Sequence, residues 1–133
     1  MSFRWPIRVY YEDTDAAGVV YYANYLRFME RARTEWLASL GITLDRLERE
    51  HGVVFVVHRL EIEYQQPARL YDPLEVTLVP IDIGRSRLVA AQEVLRDGVR
   101  LVRAEVTLAC LSRASWRPAR IPPAVAQRME TPG

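Results

Sequence analysis

The sequence predicts an α+β fold, with one antiparallel β-sheet wrapped around a single long central helix. Three observations carry that expectation. Tyr25, Phe28, Met29, Ala32, Trp36 and Leu40 recur at three- and four-residue steps, which is one face of a helix. Val102, Ala104, Val106, Leu108 and Cys110 alternate with Arg103, Glu105 and Thr107, the period of a strand with one face buried. The other strand-like segments follow the long helix in a run, and a helix this apolar needs a sheet to cover it.

The elements are justified in chain order. Ile7 to Tyr11 is short, apolar and aromatic, and reads as a strand. Glu12 to Gly18 is acidic and small, a loop by composition. Asn24 to Leu40 is the long helix; Asn24 can cap its start, and Gly41 stands where a C′ glycine belongs. Leu26 and Leu37 widen the apolar side. A shorter helix starts near Thr43 and ends before Gly52. Strands follow at Val53 to Val57, Leu60 to Tyr64, Leu74 to Leu78, Leu88 to Leu95 and Val102 to Cys110. Asp97-Gly98 marks a tight hairpin. Short turns between long strands predict an antiparallel meander laid around the helix, which is the hotdog shape. The tail from Arg113 to Gly133 is basic and proline-rich, and is expected to be loosely held.

A length of 133 residues fits one domain, residues 1–133, with no repeat or linker. Such a domain buries roughly two thirds of its unfolded surface. The formal net charge of +1 argues against nucleic acid as a partner. Cys110 is the only cysteine, so there is neither an intrachain disulfide nor a multi-cysteine metal site. It lies on the apolar side of its strand and is expected in the core. No secretory signal and no membrane-spanning stretch is read, so the expected compartment is the cytoplasm.

The chemistry is expected where the acidic loop meets the long helix, from Asp13 to Tyr25. The first N–H groups of a helix lack internal partners, and its start carries roughly half a positive elementary charge. A carbonyl placed there is polarised, and an oxyanion forming on it is stabilised. A carboxylate on the adjoining loop can attack that carbonyl or orient a water, and Gly18 lets backbone and ligand approach closely. Asp and Thr ahead of a helix are also ordinary caps, so these residues alone leave a structural role open.

The stretch Arg8 to Tyr25, with its Asp13-Thr14-Asp15-x-x-Gly18-x-Val20 core, resembles the signature of the 4-hydroxybenzoyl-CoA thioesterase family. The likeness is closest to the branch of Tol-Pal system-associated acyl-CoA thioesterases. It continues through Phe28 to Glu35 and again at Glu63 to Leu70, so it spans most of the chain except the tail. The resemblance implies a hotdog fold and acyl-CoA hydrolysis without metal or cofactor. It implies Asp15 as the catalytic carboxylate and a carbonyl-polarising backbone N–H at or near Tyr22. Tyr11 matches a tyrosine often found beside the acidic loop, where strand packing is the alternative role. There is one departure: the branch usually has histidine at the position of Tyr22. A backbone role survives that change, whereas an acid–base role of the side chain does not, because a phenol is a poor base at neutral pH.

Two routes follow for the aspartate, nucleophilic attack through a mixed anhydride or general-base activation of water. Coenzyme A also needs cations for its phosphates. Arg85, Ser86 and Arg87 beside Gly84, together with His58 and Arg59, are the candidates. The basic residues Arg113, Arg117 and Arg120 are read as surface, as is His51. The competing functions are a hotdog dehydratase, disfavoured because no histidine accompanies the Asp15 loop, and a non-catalytic binding module for acyl-CoA or an acyl carrier protein. Relatives of this kind assemble as dimers, often paired into tetramers, so a homo-oligomer is expected.

Overall fold

An apolar helix must bury its stripe, and the chain does so by curling its sheet around α1. The computed structural model describes residues 3–130. The elements are β1 (Phe3–Arg8), a single 3-10 turn (Tyr11–Asp13), α1 (Asn24–Ser39), α2 (Leu44–His51), β2 (Val53–Tyr64), β3 (Pro73–Ile83), β4 (Arg87–Arg96), β5 (Val99–Ser112) and α3 (Pro123–Glu130). The five strands form one antiparallel sheet in the order β1-β3-β4-β5-β2. This is the hotdog fold. Only β3-β4-β5 is the expected meander. β2 pairs β5 at the far edge, and the chain then crosses to β3.

Period-two patterning sets the inner face. Val102, Ala104, Val106, Leu108 and Cys110 are all buried. Burial pushes the Cys110 thiol up to about 11, in keeping with a packing role. Asp97 (φ 51) and Gly98 (φ 79) close the β4–β5 hairpin with the two positive φ angles of a type I′ turn. The first strand lies earlier than expected, at Phe3–Arg8 rather than Ile7 to Tyr11. Phe3, Trp5 and Ile7 face inward opposite Leu78, Val76 and Leu74, and Pro6 is tolerated because β1 is an edge.

Tyr25, Phe28, Met29, Ala32, Trp36 and Leu37 are the buried side of α1. Its end follows the Schellman pattern: Gly41 N–H bonds Ala38 O, Ile42 N–H bonds Leu37 O, and Gly41 has φ 79. Its start differs from expectation. Asn24 is the first helical residue, not the cap, and its side-chain amide donates to the Asp13 carbonyl at 3.0 Å. Under the middle of α1, buried Gln92 of β4 donates to Met29 O at 3.1 Å and accepts from Arg33 at 3.0 Å. Burial lowers the Arg33 pKa, opposed by nearby Glu30. These bonds satisfy a polar side chain that would otherwise be costly at this depth, and they tie the helix to one position along the sheet.

The tail expectation is corrected. Residues 117–119 bond the end of β5 and Ile121 N–H bonds Arg85 O at 2.7 Å, while Ile121, Val125 and Met129 are buried beside Trp36, Leu37 and Leu47. Their four-residue spacing makes an apolar stripe that closes the core at the C-terminal end of α1. The last three residues of the predicted tail, 131–133, lie outside the described residues. Among the described residues no helix is long and apolar enough to cross a membrane. If the 117–130 segment seals the core, Ile121→Ala costs about 2–4 kcal/mol, read from denaturant midpoints; a change below about 0.5 kcal/mol would mean the segment is only draped on the surface.

Candidate active site

The acidic loop is built from the backbone outward. Asp13 is buried and its carboxylate accepts the Tyr10 N–H at 2.8 Å. Its carbonyl accepts both the Tyr21 N–H at 2.9 Å and the Asn24 amide at 3.0 Å, joining loop to helix start. Thr14 pairs with Val20, and Asp15 N–H bonds Val19 O at 2.9 Å. The loop is therefore a small hairpin, with Asp15 on one arm and Tyr22 two residues beyond Val20 on the other. Gly18 N–H closes the turn onto Asp15 O at 3.0 Å, and its φ of 82 requires glycine. A Cβ there would meet nothing within 4 Å, so the space over the turn is open.

Asp15 is exposed, and one carboxylate oxygen accepts the Ala17 N–H at 2.8 Å, which orients the group across the turn. Among the described residues the N–H groups of Tyr22 and Ala23 have no acceptor; Ala23 is the cap of α1, whose N–H has no intrahelical partner, and Tyr22 stands just before it. Tyr22 lines a cleft of about 250 Å³ together with Val20, Tyr25, Tyr64, Gln66 and Pro67. Tyr11 is 82% exposed, so strand packing does not bury it.

A second segment braces this loop; the sequence marked its first half only as part of the family likeness at Glu63 to Leu70, not as a support. Val20 N–H bonds Ala68 O at 2.8 Å and Val19 pairs with Arg69. That segment is held by the Asp72 carboxylate, which accepts from Arg69 N–H and from Arg96, both at 2.8 Å. Arg96 also reaches Pro67 O at 3.1 Å. Burial of Asp72 raises its pKa, but the Arg69 N–H and the Arg96 guanidinium outweigh it and hold the carboxyl below its usual range. No local pattern announces a pair 24 residues apart.

The predicted phosphate ligands lie elsewhere. Arg85 and Ser86 form the β3–β4 turn, whose carbonyls bond Ile121 and Cys110. Arg87 meets His58 and Arg59 in a groove of about 300 Å³ with Glu61, Glu105 and Thr107. His58 is exposed at a bulge between Val57 and Arg59, and Arg59 is paired with Glu61 at 2.9 Å. Arg87 and Arg96 are the two ends of β4, roughly 30 Å apart along a strand. One chain therefore brings Asp15, Gly18 and Tyr22 together, and separately His58, Arg59 and Arg87, but does not join the two groups. Among the described residues no cluster of three or more metal-ligating side chains occurs.

A hotdog sheet with an acidic hairpin leading into its central helix defines the class of fold and site. Residues 9–129 match the thioesterase-like superfamily, and the chain belongs to that family. It is 42% identical over 121 residues to "Acyl-CoA thioesterase YbgC" of Haemophilus influenzae, covering 91% of this chain and 89% of that protein. It is 42% identical over 124 residues to "Acyl-CoA thioester hydrolase YbgC" of Escherichia coli O6:H1, covering 92% of each. A thioesterase of Thermus thermophilus, solved with coenzyme A and Zn, is 31% identical, with TM-score 0.82 over 96% of this chain and 97% of that one.

The brace predicts a specific pH behaviour. A carboxyl depressed in the folded state contributes stability that is complete above the unfolded pKa and is lost as pH falls through the folded one. Asp72→Asn should cost about 1 kcal/mol at pH 7, and its gap from wild type should hold down to about pH 4 and narrow below it. Chemical denaturation across pH measures this, and a gap that widens on acidification would contradict it.

Proposed function

We propose that this chain hydrolyses an acyl-CoA thioester, with the carbonyl at the start of α1 and Asp15 as the reacting carboxylate. The observation that carries the proposal is the hairpin itself. It places an exposed aspartate on one arm and the unpartnered Tyr22 N–H on the other, around a glycine turn with open space above it. The likeness to proteins named acyl-CoA thioester hydrolases supports the thioester, and the relative solved with coenzyme A supports the thiol half.

In this mechanism the Tyr22 N–H and the helix start stabilise the oxyanion. Asp15 either bonds to the carbonyl carbon, expelling the CoA thiolate and leaving a mixed anhydride that water opens, or takes a proton from the attacking water. Either way the products are the free acid and CoA. Tyr22 acts through its backbone, so the branch's usual histidine is dispensable.

His58, Arg59, Arg85, Ser86 and Arg87 would serve the CoA phosphates of a site completed by a second copy. β2 is a sheet edge with unpaired backbone groups, and Val57 and Tyr64 on its inner side are 53% and 44% exposed. Antiparallel pairing of two β2 edges turns the arginine end of one subunit toward the Asp15 end of the other. A homodimer, or a pair of dimers, is the assembly this implies.

The competing reading is a non-catalytic acyl-CoA binding module, favoured by the Ala17 N–H bond that gives Asp15 a purely structural use. Steady-state release of CoA separates the two. Asp15→Asn keeps the turn and should lower kcat at least ~100-fold with the fold intact. Tyr22→Phe keeps the backbone N–H and should stay within about threefold of wild type. Wild type that binds CoA but hydrolyses no thioester, or an Asp15→Asn enzyme as fast as wild type, supports the binding module instead.

A further inference from the structure

We propose that Tyr64 governs the acyl group, closing the acyl subsite against long chains and holding the start of α1 in register with it; this rests on the thioesterase reading. Tyr64 is the last residue of β2, and three contacts tie it to the helix start. Its hydroxyl donates to the Tyr22 carbonyl oxygen at 3.2 Å. Its ring stands edge-on to Tyr22, with centroids 6.0 Å apart and planes at 86°, and lies 5.7 Å from the Tyr25 ring. Tyr25 is fixed in turn, because its hydroxyl accepts the Ala68 N–H at 3.1 Å. Burial raises the pKa of the Tyr64 phenol, helped by Tyr22 and Tyr25, so it stays a donor at neutral pH.

The three rings, with Val20 and Pro67, wall the cleft of about 250 Å³ that opens beside the Tyr22 N–H. A thioester carbonyl held at that N–H points its acyl group into this cleft. The cleft is open at one side and has room for a compact acyl group against the rings. Edges and faces of three phenol rings favour a planar aromatic acyl group, which meets them in edge-to-face geometry. The carbonyl that Tyr64 holds belongs to the peptide that carries the Ala23 N–H. The hydroxyl therefore orients the Ala23 N–H while the ring limits length: Tyr64 is a positioning residue through its oxygen and a specificity residue through its ring.

The two roles separate by substitution. Wild type, Tyr64→Phe and Tyr64→Ala are compared in kcat and KM on benzoyl-CoA, butyryl-CoA and dodecanoyl-CoA, with thermal unfolding as the folding control. Tyr64→Ala should swing the benzoyl-to-dodecanoyl ratio of kcat/KM about tenfold or more toward the long chain. Tyr64→Phe should leave that ratio alone and lower kcat on all three by about three- to tenfold at nearly constant KM. Tyr64→Leu replaces the alanine variant if that one does not fold. Active wild type with an unmoved ratio in the folded truncation overturns the specificity role, and unchanged kcat in Tyr64→Phe overturns the positioning role. Wild type inert on every thioester overturns the thioesterase reading itself and this inference with it.

Discussion

The burial of α1 against the concave face of the sheet is the constraint from which the rest of the molecule follows. Six of its side chains, from Tyr25 to Leu37, are withdrawn from water, most of them against the sheet and Trp36 and Leu37 also against α2 and the 121–129 segment. A buried Phe or Met truncated to Ala costs about 2–5 kcal/mol, a large part of a domain's total stability. Because that face has to lie on the sheet, the direction of the helix is set, and so is the place where its unpaired N–H groups emerge. Gln92 then pins Met29 and Arg33, and the Gly41 cap with α3 behind it closes the other end. The donors at Tyr22 and Ala23 are thereby fixed in space before any ligand arrives, which is what electrostatic stabilisation of an oxyanion requires.

A rigid helix start is useful only if the carboxylate is equally well placed. The Asp13 carbonyl does this locally by gripping Tyr21 and Asn24. The 68–72 segment does it from outside, with Ala68 under Val20, Arg69 beside Val19, and Asp72 locked to Arg96. Tyr25 and Tyr64 extend the same lattice to the edge strand. The loop that carries Asp15 is thus exposed at its tip and anchored at its base, the usual arrangement of a functional loop on a rigid scaffold.

Much of this was legible before the structure. The helix from Asn24 and the strand from Val102 to Cys110 follow from periodicity alone, because one face of each is buried and the other is not. The type I′ hairpin follows from Asp97-Gly98, since few other pairs tolerate two positive φ angles. What was illegible depends on contacts distant in sequence. Pro6 concealed β1, whose position at a sheet edge made the proline harmless. The proline-rich, basic setting masked Ile121, Val125 and Met129, although their spacing of four was present. The tether from Asn24 to Asp13, the brace from Asp72 to Arg96, and the separation of Arg87 from the Asp15 loop are properties of the packed chain. For the site, the motif located the hairpin, whereas Tyr64 looked like one more alternating strand residue.

The central claim is that a thioester carbonyl docks at the start of α1 with Asp15 beside it. The most direct measurement is a crystal structure with a non-hydrolysable acyl-CoA analogue, its sulfur replaced by methylene. The account predicts the carbonyl oxygen within about 3 Å of the Tyr22 or Ala23 N–H, with the Asp15 carboxylate facing the carbonyl carbon and the acyl group against Tyr64. An analogue seated with its carbonyl away from the helix start, and Asp15 still closed on the Ala17 N–H, would contradict it.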